Sequence, residues 1–80
     1  MPNTPGIQLT PRNRKQLVDA REAKGWVQYR LARRVKVTIG TICRIETGAA
    51  DPSLATLEAM AAALGLVVDV TTTVRITRRN

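Results

Sequence analysis

The stretch WVQYRLARRVKVTIGTICRIETG, residues 26–48, decides the fold of this 80-residue chain. Its apolar residues recur at intervals of three and four, which is the spacing of one face of an α-helix. The recurrence is interrupted at Lys36, so the stretch predicts two short helices joined by a tight turn. We expect one helix over about residues 28–35 and a second that Thr38 caps and that ends near Thr47.

The charge along this stretch is almost entirely positive. Positions 26 to 45 contain no acid and five basic residues, namely Arg30, Arg33, Arg34, Lys36 and Arg44. The chain as a whole carries a formal charge of +7, to which residues 46–69 contribute only acids. A helix–turn–helix surface with only positive charge suits contact with phosphates, so the pattern predicts a nucleic-acid-binding face. A basic face that is merely solvated is the alternative.

Capping residues place two further helices on either side of this pair. Thr10-Pro11 predicts the start of a first helix that ends near Lys24, because Thr is a favoured N-cap and Pro is tolerated at the first helical position. Ser53 is the expected N-cap of a fourth helix, and Gly65 is expected to end it. The fold class that follows is an all-α helix–turn–helix bundle.

After Gly65 the periodicity changes from that of a helix to that of a strand. From Leu66 to Thr77 alternate positions are apolar or β-branched, and one face of the expected strand consists of Val68, Val70, Thr72, Val74 and Ile76. An isolated strand is not stable. It is expected to pair with residues 7–9, with itself as a hairpin, or with a second copy of the protein. The chain thus divides into an N-terminal arm (1–9), the helical domain (10–65) and a C-terminal strand with a basic tail (66–80).

The composition argues against catalysis, metal binding and membrane insertion. Cys43 is the only cysteine and the chain has no histidine, so neither a Cys–His nucleophile pair nor a zinc site can form. We therefore predict that the protein is not an enzyme and needs no cofactor. The lone cysteine fits the reducing cytoplasm. No apolar run approaches the roughly 20 residues of a membrane span, and the first residues do not resemble a signal peptide.

The chain from Leu17 to Gly65 resembles the lambda-repressor-like (Xre) helix–turn–helix family. The motifs that carry the resemblance are Gly25, Gln28-x-x-Leu31-Ala32, Val37-Thr38, Ile42 and Ile45, Glu46-Thr47-Gly48, and Pro52-Ser53-Leu54-x-x-Leu57. The chain departs from the family at Val27, where Ser or Thr is usual, at Lys36, where Gly is usual, and at Gly40, where a polar residue is usual. Lys36 is therefore expected near the left-handed region.

The resemblance implies a role for each exposed residue of the motif. The second helix of such a motif lies in the major groove of double-stranded DNA, with its N-terminal end toward the bases. The residues expected to read bases are Arg44, Thr41, Gly40 and Ile39, with Arg44 bidentate to a guanine or, alternatively, on a phosphate. Phosphate contacts are expected from Gln28, Thr38, Tyr29, Arg30, Arg33 and Lys36. Arg21 and Glu46 occupy the positions of a structural salt bridge in the family.

The layout of the tail is similar to the HipB-like and HigA-like antitoxin branch of this family. Such an antitoxin forms a homodimer partly through terminal strands, binds a palindromic operator, represses its own operon and has a toxin protein as its partner. The dimer strand would consist of Val68, Val70, Val74 and Ile76. Two alternatives remain: a stand-alone or phage transcriptional regulator, and a protein-interaction module that uses the fold without binding DNA.

Overall fold

The computed structural model describes residues 6–70 and 74–79. Its elements are, in chain order, α1 (Pro11–Ala23), α2 (Gln28–Val35), α3 (Ile39–Thr47), α4 (Leu54–Leu64), β1 (Leu66–Asp69) and β2 (Arg75–Arg78). The four helices begin and end within about one residue of the sequence-based expectation. This agreement follows from the capping residues, which mark a helix end more sharply than periodicity does.

Side-chain caps start three of the four helices. Thr10 and Asn13 form a reciprocal capping box, in which the Asn13 N–H donates to Thr10 Oγ1 at 3.0 Å and the Thr10 N–H donates to Asn13 Oδ1 at 3.2 Å. Thr38 and Ser53 each accept a hydrogen bond from the backbone N–H three residues further on. At the start of α2, Val27 has no side-chain acceptor to offer.

The turn between α2 and α3 contains a left-handed residue. Lys36 ends α2 with φ 62° and ψ 43°, which confirms the conformation expected at this position. The Val37 N–H then donates to Ala32 O at 3.0 Å and closes the turn. An L-residue in this conformation costs about 1–2 kcal/mol, which a glycine would avoid.

The core lies between the four helices and is built from aliphatic side chains. The fully buried members are Leu17, Leu31, Ile42, Ile45, Leu57 and Met60. Leu9 of the N-terminal segment and Ile76 of β2 complete this core. The side chain of Gln16 ties α1 to the sheet, because its Nε2 donates to Ile76 O at 2.8 Å.

The C-terminal segment forms a hairpin, which is one of the three pairings that its alternation left open. β1 and β2 are antiparallel, with Leu66 opposite Arg78 and Val68 opposite Ile76. Ile76 is buried, Val68 and Val74 are partly buried against the core, and Val70 is 37% exposed. The alternation of buried and exposed positions is retained, because both strands turn the same alternate positions toward the helices. Residue Thr72 of the expected strand face lies outside the described residues.

Residues 7–9 do not form a strand, and so they do not pair with the C-terminal segment. The Ile7 N–H instead donates to Pro52 O at 2.6 Å, in the loop that precedes α4. Leu9 inserts into the core beside α1, and its carbonyl accepts a hydrogen bond from Arg14 Nη1 at 2.9 Å. Residues 7–9 are thus held between the loop that precedes α4 and helix α1.

Candidate nucleic-acid interface

The outer face of α3 is the exposed half of the helix–turn–helix pair. Ile42 and Ile45 are buried, and the opposite side presents Ile39, which is 49% exposed, together with Cys43 and Arg44. Thr41 is partly buried, and its hydroxyl lies 2.9 Å from that of Thr38, the N-cap. The residues expected to read bases thus lie along the outer side of α3, and their contacts with DNA remain a prediction.

Arg44 does not extend freely into solvent but lies across Gly40. A Cβ placed on Gly40 would be 3.1 Å from Arg44 Nη1 and 3.8 Å from its Cζ. The guanidinium therefore occupies the space that a side chain at position 40 would need. It is displaced toward the N-terminal end of α3, which is the end that such a helix turns toward the bases.

The exposed face of α2 carries most of the expected phosphate contacts. Tyr29, Arg30 and Arg33 are exposed there, and Lys36 is exposed in the turn that follows. Arg33 Cζ lies 5.9 Å from the centre of the Tyr29 ring, and its Nη1 is 3.4 Å from the Tyr29 hydroxyl. Their spacing of four residues along the helix brings this pair together.

Gln28 is held by a protein partner at the position where we expected a phosphate contact. Its Nε2 donates to Glu46 Oε1 at 2.9 Å, which links the first residue of α2 to the end of α3. A side-chain amide has two N–H donors. One is used by Glu46, and the other is the donor that a phosphate would need.

Arg21 and Glu46 form the ion pair expected between α1 and α3. Arg21 Nε donates to Glu46 Oε2 at 2.8 Å, and Arg21 Nη2 donates to Oε1 at 3.1 Å. The two side chains are 10% and 4% exposed. Arg21 Nη1 also donates to the Trp26 carbonyl at 2.6 Å, so one guanidinium joins α1, the α1–α2 connection and α3. The carboxylate of Glu46 is thus neutralised beneath the basic surface.

Trp26 is the residue of this surface that the sequence reasoning missed. Three cations surround its indole ring: Lys24 Nζ at 5.3 Å, Arg30 Cζ at 5.7 Å and Arg34 Cζ at 5.3 Å from the ring centre. We call Trp26 with these three residues the Trp26 cluster. Arg30 and Arg34 follow Trp26 by four and eight residues, a spacing that places them along one side of α2. That spacing was the available signal.

The part of the chain that the structure describes has no metal-binding cluster and no membrane-spanning helix. No three of its His, Cys, Asp and Glu residues come together in a way that would hold a metal ion. None of its helices is long and apolar enough to cross a lipid bilayer. Every buried side-chain nitrogen or oxygen in this part has a hydrogen-bond partner.

A four-helix bundle whose second and third helices form such a pair, with a capped and exposed third helix, is of the helix-turn-helix class. The comparison with protein families agrees. Residues 15–73 match the family model described as a helix-turn-helix domain, and the chain belongs to this family. No curated protein and no solved structure matches the chain. A helix-turn-helix domain indicates a DNA-binding regulator, and domains of this family are typically not enzymes.

Proposed function

We propose that the protein is a sequence-specific transcriptional repressor that acts in the cytoplasm and binds a palindromic operator as a homodimer. The observation that carries the proposal is the exposed outer face of α3, on which Arg44 lies across Gly40. Arg33 of α2 and Lys36 of the turn before α3 are exposed as well. An arginine on this helix is the side chain best suited to a guanine, to which it donates two hydrogen bonds. Two such helices of a dimer would enter the major groove about 34 Å apart, one turn of DNA.

A salt titration of DNA binding tests this proposal. If each protomer neutralises about four phosphates, a dimer neutralises about eight, and log K should fall against log salt with a slope of about −7. The operator is first selected from a random duplex library, and a duplex with a scrambled sequence serves as the control. A slope near zero with both duplexes would reject DNA binding and favour the protein-interaction module.

The outer edge of β1 supports the homodimer. The Arg79 N–H donates to Gly65 O at 2.8 Å, so Gly65 and Arg79 are a hydrogen-bonded pair of the ladder. Pairs alternate along an antiparallel ladder, and the N–H and C=O of Val68 therefore point away from β2. Beside that edge lies a groove of about 190 Å³, whose lining includes Ala61 and Ala62 of α4. A second copy of β1 would extend the sheet around a two-fold axis.

A proline at position 68 tests this interface. Val68→Pro removes an N–H that β2 does not use, so the hairpin should persist while pairing with a second β1 is blocked. Val68→Ala is the matched control, since it loses side-chain packing but keeps the N–H. Sedimentation should show a monomer for Val68→Pro and a dimer for Val68→Ala. A dimer with Val68→Pro would place the interface elsewhere.

We infer further that the repressor is the antitoxin of a toxin–antitoxin pair and represses its own operon. The support is the strand-forming tail after α4, with its edge free of β2 pairing at Val68. The test is to express the product of the adjacent reading frame alone and with this protein. Growth arrest that this protein relieves, together with repression of a reporter on its own promoter, is the expected result. Repression without any effect on growth would favour a stand-alone or phage regulator.

A further inference from the structure

We propose that Trp26 is a positioning residue that gathers Lys24, Arg30 and Arg34 into a phosphate-binding surface, which holds the DNA backbone independently of base sequence. The inference rests on the proposed DNA binding and adds to it a residue that itself need not touch DNA. It also adds Lys24 and Arg34, which come from the end of α1 and the last turn of α2.

Three cations are held close to one another around the Trp26 ring. Arg30 and Arg34 both lie within 5.7 Å of the same ring centre, so their guanidinium carbons are at most about 11 Å apart. Lys24 approaches the same ring at 5.3 Å. The Debye length is about 8 Å at physiological ionic strength, so repulsion acts among those of the three cations that lie closer together than this. The π face of the indole offsets part of that repulsion.

The side chains next to this surface indicate which kind of ligand it can bind. Arg30 and Arg34 also line, with Tyr29 and Arg33, an open cleft of about 410 Å³ on the exposed face of α2. Three guanidinium groups and a phenol hydroxyl around one cleft provide only donors for an anion, with the hydroxyl able to turn. Binding of an anion relieves the repulsion among the cations, so the surface selects a ligand with closely spaced negative charges.

DNA is the polyanion that this position favours. In a helix–turn–helix the first helix of the pair crosses the DNA backbone while the second enters the groove. Duplex DNA carries one charge per about 1.7 Å of its axis, so a surface with several cations on one helix can meet several phosphates at once. The clustered cations would therefore contact successive phosphates. Because phosphates are the same in every sequence, these contacts add affinity without base preference.

Substitutions of Trp26 test the positioning role. Trp26→Leu keeps an apolar side chain against the core but removes the π face, and Trp26→Phe keeps a ring. We expect Trp26→Leu to weaken binding to operator and scrambled duplex alike by about tenfold to 150-fold, the range that corresponds to the loss of three cation–π interactions. Trp26→Phe should restore most of this affinity. Equal thermal midpoints for the two variants would exclude a difference in folding as the cause.

The salt slope tests whether a cation that Trp26 is proposed to position contacts phosphate. Arg34→Ala should make the slope shallower by about 0.9 for each phosphate that the variant no longer neutralises. Arg12→Ala removes the same charge from the exposed first turn of α1, outside the surface, and should leave the slope as in the wild type. If Arg34→Ala and Arg12→Ala have equal slopes, or if Trp26→Leu binds as the wild type does, the inference is rejected while the proposed DNA binding stands.

The fluorescence of Trp26 identifies the ligand class, since this residue is the only tryptophan of the chain. Addition of scrambled duplex should change its emission, and Arg12→Ala should show the same change because Arg12 lies outside the surface. Poly-glutamate at matched charge concentration is the competing probe. An emission change with poly-glutamate but none with duplex would overturn the proposal in favour of an acidic protein partner. Absence of binding by any duplex would instead reject the proposed function itself.

Discussion

Removing the carboxylate of Glu46 should destabilise the fold more than any change on the DNA-facing surface. Glu46→Ala leaves the Arg21 guanidinium, whose side chain is only 10% exposed, without its charge partner, and it also leaves Gln28 Nε2 without its acceptor. Removal of one member of a buried ion pair typically costs about 3–5 kcal/mol. A domain of this length has a free energy of unfolding of about 4–12 kcal/mol, so the change would remove about a quarter of it or more.

Thermal and urea unfolding followed by circular dichroism at 222 nm measure this effect. The midpoint should fall by at least about 12 °C, given about 4–8 °C for each kcal/mol in a domain of this size. Asp19→Ala is the matched control, because it breaks the Lys15–Asp19 ion pair, whose side chains are 75% and 55% exposed. That change should cost less than about 1 kcal/mol.

The double variant Arg21→Met/Glu46→Leu separates the energy of the ion pair from the cost of leaving one of its members buried without a partner. Apolar side chains in place of a buried ion pair are often neutral or stabilising. Recovery should nevertheless be incomplete here, because Arg21 also donates to the Trp26 carbonyl and methionine cannot replace that bond. The reasoning would be refuted by a Glu46→Ala variant whose stability lies within about 1 kcal/mol of the wild type, or by a double-mutant cycle without coupling.

Three further outcomes follow from the surface of the motif. Arg44→Ala should cost about 1–3 kcal/mol per half-site and relax the preference at one base pair, whereas Arg33→Ala should weaken binding to all sequences equally; a panel of substituted operators distinguishes the two. Gly40→Ala should stabilise α3 by about 0.5–1 kcal/mol but shift the base preference, because its Cβ would lie 3.1 Å from Arg44 Nη1. Thermal unfolding measures the gain in stability, and competition binding measures the change in base preference. In an Arg44→Ala background, Gly40→Ala should leave the base preference unchanged. Lys36→Gly should raise stability by about 0.5–1 kcal/mol, since Lys36 has φ 62°, and a lower unfolding midpoint would contradict the strain argument.

The helices could be predicted from the sequence because their ends are chemically marked. Thr10, Thr38 and Ser53 each stand where a hydroxyl is needed to accept a hydrogen bond from a free backbone N–H, and each does so. Lys36 was expected in the left-handed region because the family that the chain resembles usually has a glycine at this position. Local chemistry of this kind does not depend on what the rest of the chain does.

The sequence left the hairpin as one of three possible pairings and could not select it in the same way. A period of two is identical for one strand and for two strands that share a face, and residues 70–74 (VTTTV) contain no Gly, Pro, Asn or Asp to mark a turn. Contacts between side chains from separate elements, such as Gln28 of α2 with Glu46 of α3, depend on how the helices pack. Periodicity specifies which face is buried but not which neighbour it meets.

The position of Cys43 gives the protein a built-in chemical reporter. This thiol is the only one in the chain and is exposed on α3, one residue before Arg44. A maleimide probe will therefore attach at a single point, on the side of the helix expected to enter the groove. Bound duplex would shield the thiol, so the rate of alkylation, followed by mass spectrometry, measures groove occupancy without any engineered label.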